Sequence, residues 1–322
     1  MKLLLLGGPD FLGRATTEAA LASGHELTFF NRGRTNPHLY PEVERLLGDR
    51  DGEIAALQGR RWDAVIDTSG YVPHVVRASA EMLSDSGRYC FVSSISVYAD
   101  FSRTLDEEDA LKSLGDGPID QLTPDFSNYG ALKAQCEEAV RETFGNRALV
   151  IRPGLIVGPH DPSGRFAYWP HRAARGGDVL VPGSPKRNVQ FIDVRDLGDW
   201  MVRLCESGTV GTFNATNPGV SWGELLASCR DVAGSDCEFT WVSDAFLVEQ
   251  EVGEWMELPL WLAGPAKTGA NAAVVDRSVA AGLRFRPLDD IVRGALEEAP
   301  TTDDAGLSAE READLLAKWH AR

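Results

Sequence analysis

The sequence predicts an α/β protein built on a doubly wound parallel sheet. Residues 1–13 (MKLLLLGGPDFLG) are a short, unbroken apolar run followed directly by glycines, which is typical of a central parallel strand buried on both faces. Short apolar segments then alternate with helical patterns along the chain, and this alternation indicates a parallel sheet covered by helices. No segment approaches the length of a transmembrane helix, so we expect no membrane span.

Composition narrows the class of protein further. The net charge of −16 argues against nucleic acid and anionic membranes as partners. The apolar start stops after four leucines, which is too short for a signal peptide. The five cysteines have no metal-binding spacing, and the six histidines form no HxH or HxxxH pair. We therefore expect a cytoplasmic protein with reduced cysteines and no metal site.

The first strand, glycine turn and predicted helix (residues 11–23) form a dinucleotide-binding arrangement. Backbone N–H groups at the helix start can face a pyrophosphate, and glycine leaves room for its close approach. Asp10 stands where a middle glycine is usual, and we interpret it as an N-cap of the helix. The expected cofactor contacts in this segment are Gly7, Gly8, Asp10, Phe11, Leu12 and Gly13.

The end of the second predicted strand (residues 26–30) points to the type of cofactor. It runs into Asn31, Arg32, Gly33 and Arg34. An acidic residue here would bind the ribose 2′-hydroxyl of NAD, whereas arginine can hold the 2′-phosphate of NADP. Two arginines without an acid predict NADP as the preferred cofactor, with NAD possible. The alternative is that both arginines are solvated loop residues.

Further predicted strands (residues 44–47, 63–67 and 88–92) and a helix (74–83) supply more of the cleft. The candidate cofactor contacts here are Asp49 and Arg50. The Asp49 carboxylate could reach the adenine amino group, and the alternative is that it lies in a surface turn. After the fourth strand, small residues leave room for a ligand at the sheet edge: Thr68, Ser69 and Gly70, followed by Tyr71. The acidic loop 105–118 is expected to be solvated, with a mobile flap as the alternative.

Three residues are predicted to meet in one crevice. The fifth strand ends in paired serines, which include Ser94, and Tyr129 and Lys133 lie four apart on a predicted helix (129–144). Residues at this spacing share one helix face. Because a sixth strand (148–151) follows, this order brings Ser94, Tyr129 and Lys133 together beside a bound nicotinamide.

Five segments in order give a resemblance to the extended short-chain dehydrogenase/reductase family, in its NAD-dependent epimerase/dehydratase group. They are GGPDFLG (7–13), SSISVY (93–98), YGALK (129–133), RPGLIVGP (152–159) and VQFIDVRDL (189–197). The resemblance implies a Rossmann domain over residues 1–155 and 189–217, and an interleaved, smaller substrate lobe over 156–188 and 218–322. It also implies that Pro153 contacts the cofactor and that the protein is a monomer or a homodimer.

The resemblance implies a chemical role for each of the three residues. Tyr129 would be the general acid or base on a carbinol–carbonyl pair. Lys133 would favour the phenolate electrostatically and bind the nicotinamide ribose, and Ser94 would orient the substrate oxygen. Dehydratases of the family carry an acidic pair where this chain has Ile95 and Ser96, so dehydration is disfavoured.

Three functions remain open at this point. The favoured one is a reductase, because a 2′-phosphate pocket suits a cofactor that exchanges. The first alternative is a sugar-nucleotide epimerase that acts through a transient ketone. The second alternative is a non-catalytic nucleotide sensor or RNA-binding protein on the same fold, which the acidity of the chain opposes.

The second half of the chain suggests the substrate. Residues 158–188 carry five cations against two acids, with aromatic residues among them, which suits a small anionic or ring-bearing substrate. The alternative is a set of local salt bridges with aromatic core packing. Besides Ser94, the expected substrate contacts are Tyr71, His160, Arg165 and Arg187. Helices are predicted over 194–206, 221–233 and 308–320, a strand over 189–192, and the tryptophans Trp222, Trp241, Trp255 and Trp261 are expected in the lobe core.

Overall fold

The structure is a computed structural model that describes residues 1–115, 120–297 and 305–322. Its first half contains β1 (Lys2–Leu6), α1 (Phe11–Ala22), β2 (Glu26–Asn31), β3 (Glu44–Leu47), β4 (Ala64–Asp67), α2 (Pro73–Met82), β5 (Tyr89–Val92), α3 (Tyr129–Phe144), β6 (Ala148–Pro153) and β7 (Leu155–Val157). Its second half contains α4 (Tyr168–Ala174), β8 (Asp178–Pro182), β9 (Asn188–Val189), β10 (Phe191–Asp193), α5 (Val194–Ser207), β11 (Gly211–Ala215), β12 (Val220–Ser221), α6 (Trp222–Ala233), β13 (Glu238–Val242), α7 (Asp244–Glu249), β14 (Glu254–Trp255), β15 (Leu258–Pro259), α8 (Asp276–Ala280), α9 (Leu288–Leu296) and α10 (Ala309–His320).

The central sheet confirms the predicted fold class. Its strand order is β11-β6-β5-β4-β1-β2-β3, and every neighbouring pair is parallel. The chain moves outward in opposite directions from β1, to β2 on one side and to β4 on the other. In doubly wound sheets, ligands bind at this switch point, outside the carboxyl ends of the strands.

The four leucines of β1 explain why this strand is central. Leu3 and Leu5 belong to the core formed with α1 and α5, whereas Leu4 and Leu6 belong to the core formed with α2 and α3. All four are fully buried. Successive side chains of a strand point to opposite faces, so an unbroken apolar run fits a strand covered by helices on both sides.

The chain that follows β6 forms a second hydrophobic core. It collects aromatic residues from the chain between residues 155 and 315, including Phe166, Trp169, Trp222 and Trp261. Between its segments the chain returns to the central sheet, where β11 pairs in parallel with β6 at the edge. The domain boundaries given above remain a prediction, but this pairing shows that the sheet is completed by a distant segment.

Several details of the second half differ from the expectations. The predicted strand 189–192 is divided into β9 and β10, because β9 pairs with β12 whereas β10 pairs with β7. The Gln190 side chain between them bonds to the backbone of Asn217 and Ala273. The start of the acidic loop is packed rather than solvated, since Leu105 is fully buried and the buried Glu107 accepts a hydrogen bond from the Asn214 N–H. Residues 116–118 of that loop lie outside the described part of the chain.

The predicted helix 221–233 is present as α6, and it begins with a capping box formed by Ser221 and Glu224. All five cysteines are free and buried. Within the described residues, no group of three or more potential metal ligands comes together, and none of the described helices is long and apolar enough to cross a membrane.

Candidate active site

A large cleft opens at the carboxyl edge of the sheet. Its volume is about 1500 Å³, whereas a single ligand pocket is typically about 300–1,000 Å³, so a dinucleotide and a second ligand can both be accommodated. Most of the residues singled out from the sequence line it: Gly7, Gly8, Asp10, Phe11, Leu12, Gly13, Asn31, Arg32, Arg34, Asp49, Arg50, Thr68, Ser69, Tyr71, Ser94, Tyr129, Lys133, Pro153 and Arg165.

The glycine turn after β1 forms a cradle that side chains would fill. Gly7 has a φ of 134°, and a Cβ added to it would lie 2.5 Å from Thr68 Oγ1. A Cβ on Gly13 would lie 2.1 Å from the carbonyl oxygen of Gly8. Asp10 occupies the N-cap position, as predicted, but its carboxylate makes no capping hydrogen bond. The first turn of α1 therefore keeps backbone N–H groups available for a pyrophosphate.

The end of β2 carries two exposed arginines. The Asn31 amide donates to the Gly7 carbonyl at 3.0 Å and accepts from the Gly33 N–H at 2.8 Å, so it braces the cradle. The Arg32 side chain is 59% exposed, and its guanidinium lies 4.0 Å from the Asp49 carboxylate. Arg34 is also exposed. An exposed pair of cations at this position fits a 2′-phosphate.

Arg50 lines the cleft, but its donors are already committed to the protein. Its guanidinium forms a bidentate pair with the buried Asp67, at 2.6 and 2.9 Å. Tyr89 donates to the same carboxylate at 2.7 Å, and Arg50 also donates to Ser69 Oγ at 3.2 Å. Its role in the structure is to hold the end of β4 in place beneath the cleft.

Ser94 and Tyr129 are brought together by a close helix contact. Ser94 follows β5 and accepts a hydrogen bond from the Ser96 N–H at 3.1 Å. A Cβ on Gly130 would lie 2.0 Å from the Ser96 carbonyl oxygen, so the glycine allows α3 to contact this turn directly. Burial raises the pKa of the Tyr129 phenol to about 12, although a hydrogen bond to Ser94 acts in the opposite direction.

Lys133 is held by the ends of two strands. Its ammonium donates to the carbonyl oxygens of Gly70 at 2.6 Å and Val92 at 2.5 Å. Burial lowers the pKa of Lys133 to about 8. These bonds use two of the three ammonium N–H groups, and the expected effect of Lys133 on the Tyr129 phenol remains a prediction. Gly70 contributes its carbonyl oxygen to this contact and is not among the residues that line the cleft.

Two of the predicted substrate contacts lie elsewhere. Arg187 is not among the lining residues and pairs with Asp244 at 2.5 Å. His160, with a φ of 66°, also lies outside the lining. Trp255 packs against the second core, as expected, and it also lines the cleft together with Met256. The tight β14–β15 connection that presents both residues has no repeated pattern in the sequence that could have indicated it.

We expect Gly130→Ala to impair folding and turnover together. The added methyl group would overlap the Ser96 carbonyl and push Tyr129 away from Ser94, even though alanine favours a helix by about 1 kcal/mol over glycine. Thermal unfolding and turnover measure the two effects. The matched control is Gly223→Ala in α6, where the added Cβ would come no closer than 3.2 Å to any atom. Equal behaviour of the two variants would contradict the proposed contact.

A glycine cradle and a Ser–Tyr–Lys group at the switch point of a parallel sheet define a nucleotide-binding protein of the short-chain dehydrogenase/reductase type. Residues 3–215 match the NAD dependent epimerase/dehydratase family, and the chain belongs to that family.

The comparisons with individual proteins are more distant. The chain is 26% identical over 252 residues to the chloroplast stem-loop binding protein of 41 kDa b from Arabidopsis thaliana, covering 72% of this chain and 63% of that relative. It therefore spans less than two thirds of the length of this relative. Two solved structures share the fold. UDP-glucuronic acid 4-epimerase from Bacillus cereus in complex with NAD has a TM-score of 0.64 and 15% identity, covering 92% of this chain and 98% of that one. Human epimerase family protein SDR39U1 with NADPH has a TM-score of 0.62 and 18% identity, covering 93% and 100%.

Proposed function

We propose that this protein is an NADP(H)-dependent oxidoreductase that reduces a carbonyl group of a small molecule. The observation that carries the proposal is that Ser94, Tyr129 and Lys133 line the same cleft as the glycine cradle. A buried, protonated phenol suits the role of a general acid. Buried, unbridged cysteines are consistent with a reducing compartment such as the cytoplasm.

The chain's residues fit the cofactor at its central pyrophosphate and at its nicotinamide end. The cradle, which side chains would fill, would hold the pyrophosphate, and Lys133 at the other end would hold the nicotinamide ribose. When bound, the reduced nicotinamide supplies a hydride to the carbonyl carbon. Ser94 would orient the substrate oxygen, and Tyr129 would give it a proton.

Arg32→Ala is expected to weaken NADPH binding about 10–100-fold and NADH binding less than twofold. The range corresponds to the loss of a hydrogen bond to a charged group, about 1.5–3 kcal/mol. Titration of the intrinsic fluorescence with each cofactor measures both affinities. Arg61→Ala is the control, because Arg61 is a similarly exposed arginine outside the cleft. Equal losses for the two cofactors would remove the case for a phosphate pocket.

A sugar-nucleotide epimerase is the second candidate, and the shared fold with an NAD-bound epimerase favours it. The two candidates differ in what happens to the cofactor. A reductase consumes one reduced nicotinamide for each product molecule, whereas an epimerase regenerates its cofactor within the turnover. With substrate in excess and NADPH deuterated on the transferred position, the reductase proposal predicts one deuterium in each product molecule and matching loss of NADPH. Product formed without net loss of cofactor would favour the epimerase.

The similarity to a stem-loop binding protein raises RNA as a partner. We propose a small-molecule substrate instead, because a net charge of −16 opposes the phosphate contacts that supply most of the affinity for nucleic acid. The prediction of a monomer or a homodimer also stands as a proposal.

A further inference from the structure

Arg165 is the cation at the second-lobe side of the cleft whose donors are available. Its Nε donates to Ser163 Oγ at 3.1 Å. Its two terminal nitrogens have no hydrogen-bond acceptor among the residues that the structure describes. The guanidinium lies 5.0 Å from the centre of the Trp255 ring, and its charge lowers the pKa of Tyr129 against the larger effect of burial. The free donors therefore lie close to the proposed proton donor.

Apart from Arg32 and Arg34 at the end of β2, the other cations that line the cleft are bonded to groups of the protein. Lys267 pairs with Glu254 at 2.5 Å, and Lys133 is bound by two backbone carbonyls. Arg50 is locked onto Asp67. Arg165, which also feels the charge of the cleft-lining Asp161, is therefore the cation left with free N–H groups for a substrate anion that reaches Tyr129.

Apolar side chains form the wall around this cation. Phe126 is 62% exposed, and Tyr71 and Met256 are also exposed, yet all three line the cleft. Leu262 and Trp255 complete the wall. Phe126 and Trp255 both have positive φ values, 57° and 68°, and strained backbone of this kind clusters at functional sites. Exposed apolar side chains gathered in one concave surface indicate an apolar ligand.

Two polar side chains that line the cleft are already hydrogen-bonded to the protein. The Gln190 side chain already makes three hydrogen bonds, to the backbone of Asn217 and Ala273. Ser163 Oγ accepts from Arg165. Each sugar hydroxyl that these two side chains left unpaired on burial would cost about 1–3 kcal/mol.

We propose that the substrate is an oxo carboxylic acid with an aromatic or aliphatic body, and that Arg165 binds its carboxylate. This rests on the proposed reductase function. The carbonyl carbon gains a hydride from NADPH, the carbonyl oxygen gains the proton of Tyr129, and the products are a hydroxy acid and NADP⁺. The carboxylate is unchanged, and the Tyr129 proton is replaced from solvent.

The test compares an aryl oxo acid with its uncharged amide and with UDP-glucuronic acid, using NADPH consumption in the full-length protein. We expect kcat/KM for the acid to exceed that for the amide about 10–100-fold, as a hydrogen bond to a charged group is worth about 1.5–3 kcal/mol. Arg165→Met should remove this preference, and Arg165→Lys should keep part of it. Arg175→Met is the matched control, because Arg175 is exposed, lies in the same basic segment and does not line the cleft.

A binding measurement separates the two proposals. Quenching of tryptophan fluorescence by an unreactive aryl carboxylate, with Trp255 beneath Arg165, should saturate in the wild type and in Tyr129→Phe but weaken at least tenfold in Arg165→Met. If carbonyl compounds are reduced with no preference for the acid, or Arg165→Met lowers acid and amide equally, the substrate class is wrong while the reductase stands. If the carboxylate binds through Arg165 but no carbonyl compound consumes NADPH, the reductase fails while the anion site stands.

Discussion

Replacing Tyr129 by phenylalanine is expected to lower turnover about 10²–10⁴-fold, the range for loss of a general acid. The phenol is held next to Ser94 by the contact between Gly130 and Ser96, and burial raises its pKa, which favours the protonated form that a general acid needs. Phenylalanine keeps the ring and removes only the proton donor. NADPH affinity should therefore change less than twofold.

The measurement is NADPH consumption at saturating cofactor, with cofactor affinity obtained separately by fluorescence titration. Tyr40→Phe is the control, because the Tyr40 hydroxyl bonds Glu18 at 2.8 Å and does not line the cleft. Turnover of Tyr129→Phe within threefold of the wild type would show that another group supplies the proton.

Replacing Glu137 by alanine is expected to lower the free energy of unfolding by about 3–5 kcal/mol, the cost of breaking a buried ion pair from one side. Glu137 is fully buried one turn after Lys133 and accepts from the buried Arg152 at 2.9 and 2.7 Å. Ser93 also donates to it, at 2.5 Å. Burial alone would raise the pKa of Glu137, but the Arg152 hydrogen bonds and charge outweigh it and lower the pKa.

Chemical denaturation measures this loss. The matched control is Glu142→Ala on the same helix, whose pair with Arg77 is about half exposed and is expected to contribute less than about 1 kcal/mol. Because Ser93 precedes Ser94, the Glu137 variant should also lose turnover. A loss of stability similar to that of Glu142→Ala would mean that Arg152 finds another partner at little cost.

Local sequence patterns predicted the parts of the structure that depend on neighbouring residues. The leucine run of β1, the glycine cradle and the spacing of Tyr129 and Lys133 are set by strand and helix geometry. The bounds of the predicted strands were accurate to within one or two residues, except around Gln190, where the chain changes its partner strand from β12 to β7.

Long-range pairing could not be predicted in this way. Arg50 resembles a cofactor contact in sequence, but its guanidinium pairs with Asp67 at the end of β4, which is the next strand along the chain and not its neighbour in the sheet. Arg187 was expected to meet an anionic substrate, but Asp244 of α7 takes its charge. Trp255 packs against the second core as expected, but its additional place at the cleft depends on the tight connection after β14. In each case the place of the residue in the structure depends on contacts with residues that are distant in the sequence.

A crystal structure with bound NADP⁺ tests the central claim most directly. We predict that the pyrophosphate will lie on the N–H groups of Phe11 and Leu12, that the nicotinamide ribose will accept from Lys133, and that the nicotinamide ring will face the Tyr129 hydroxyl. A nucleotide bound outside the cleft, or a nicotinamide ring turned away from Tyr129, would contradict the account.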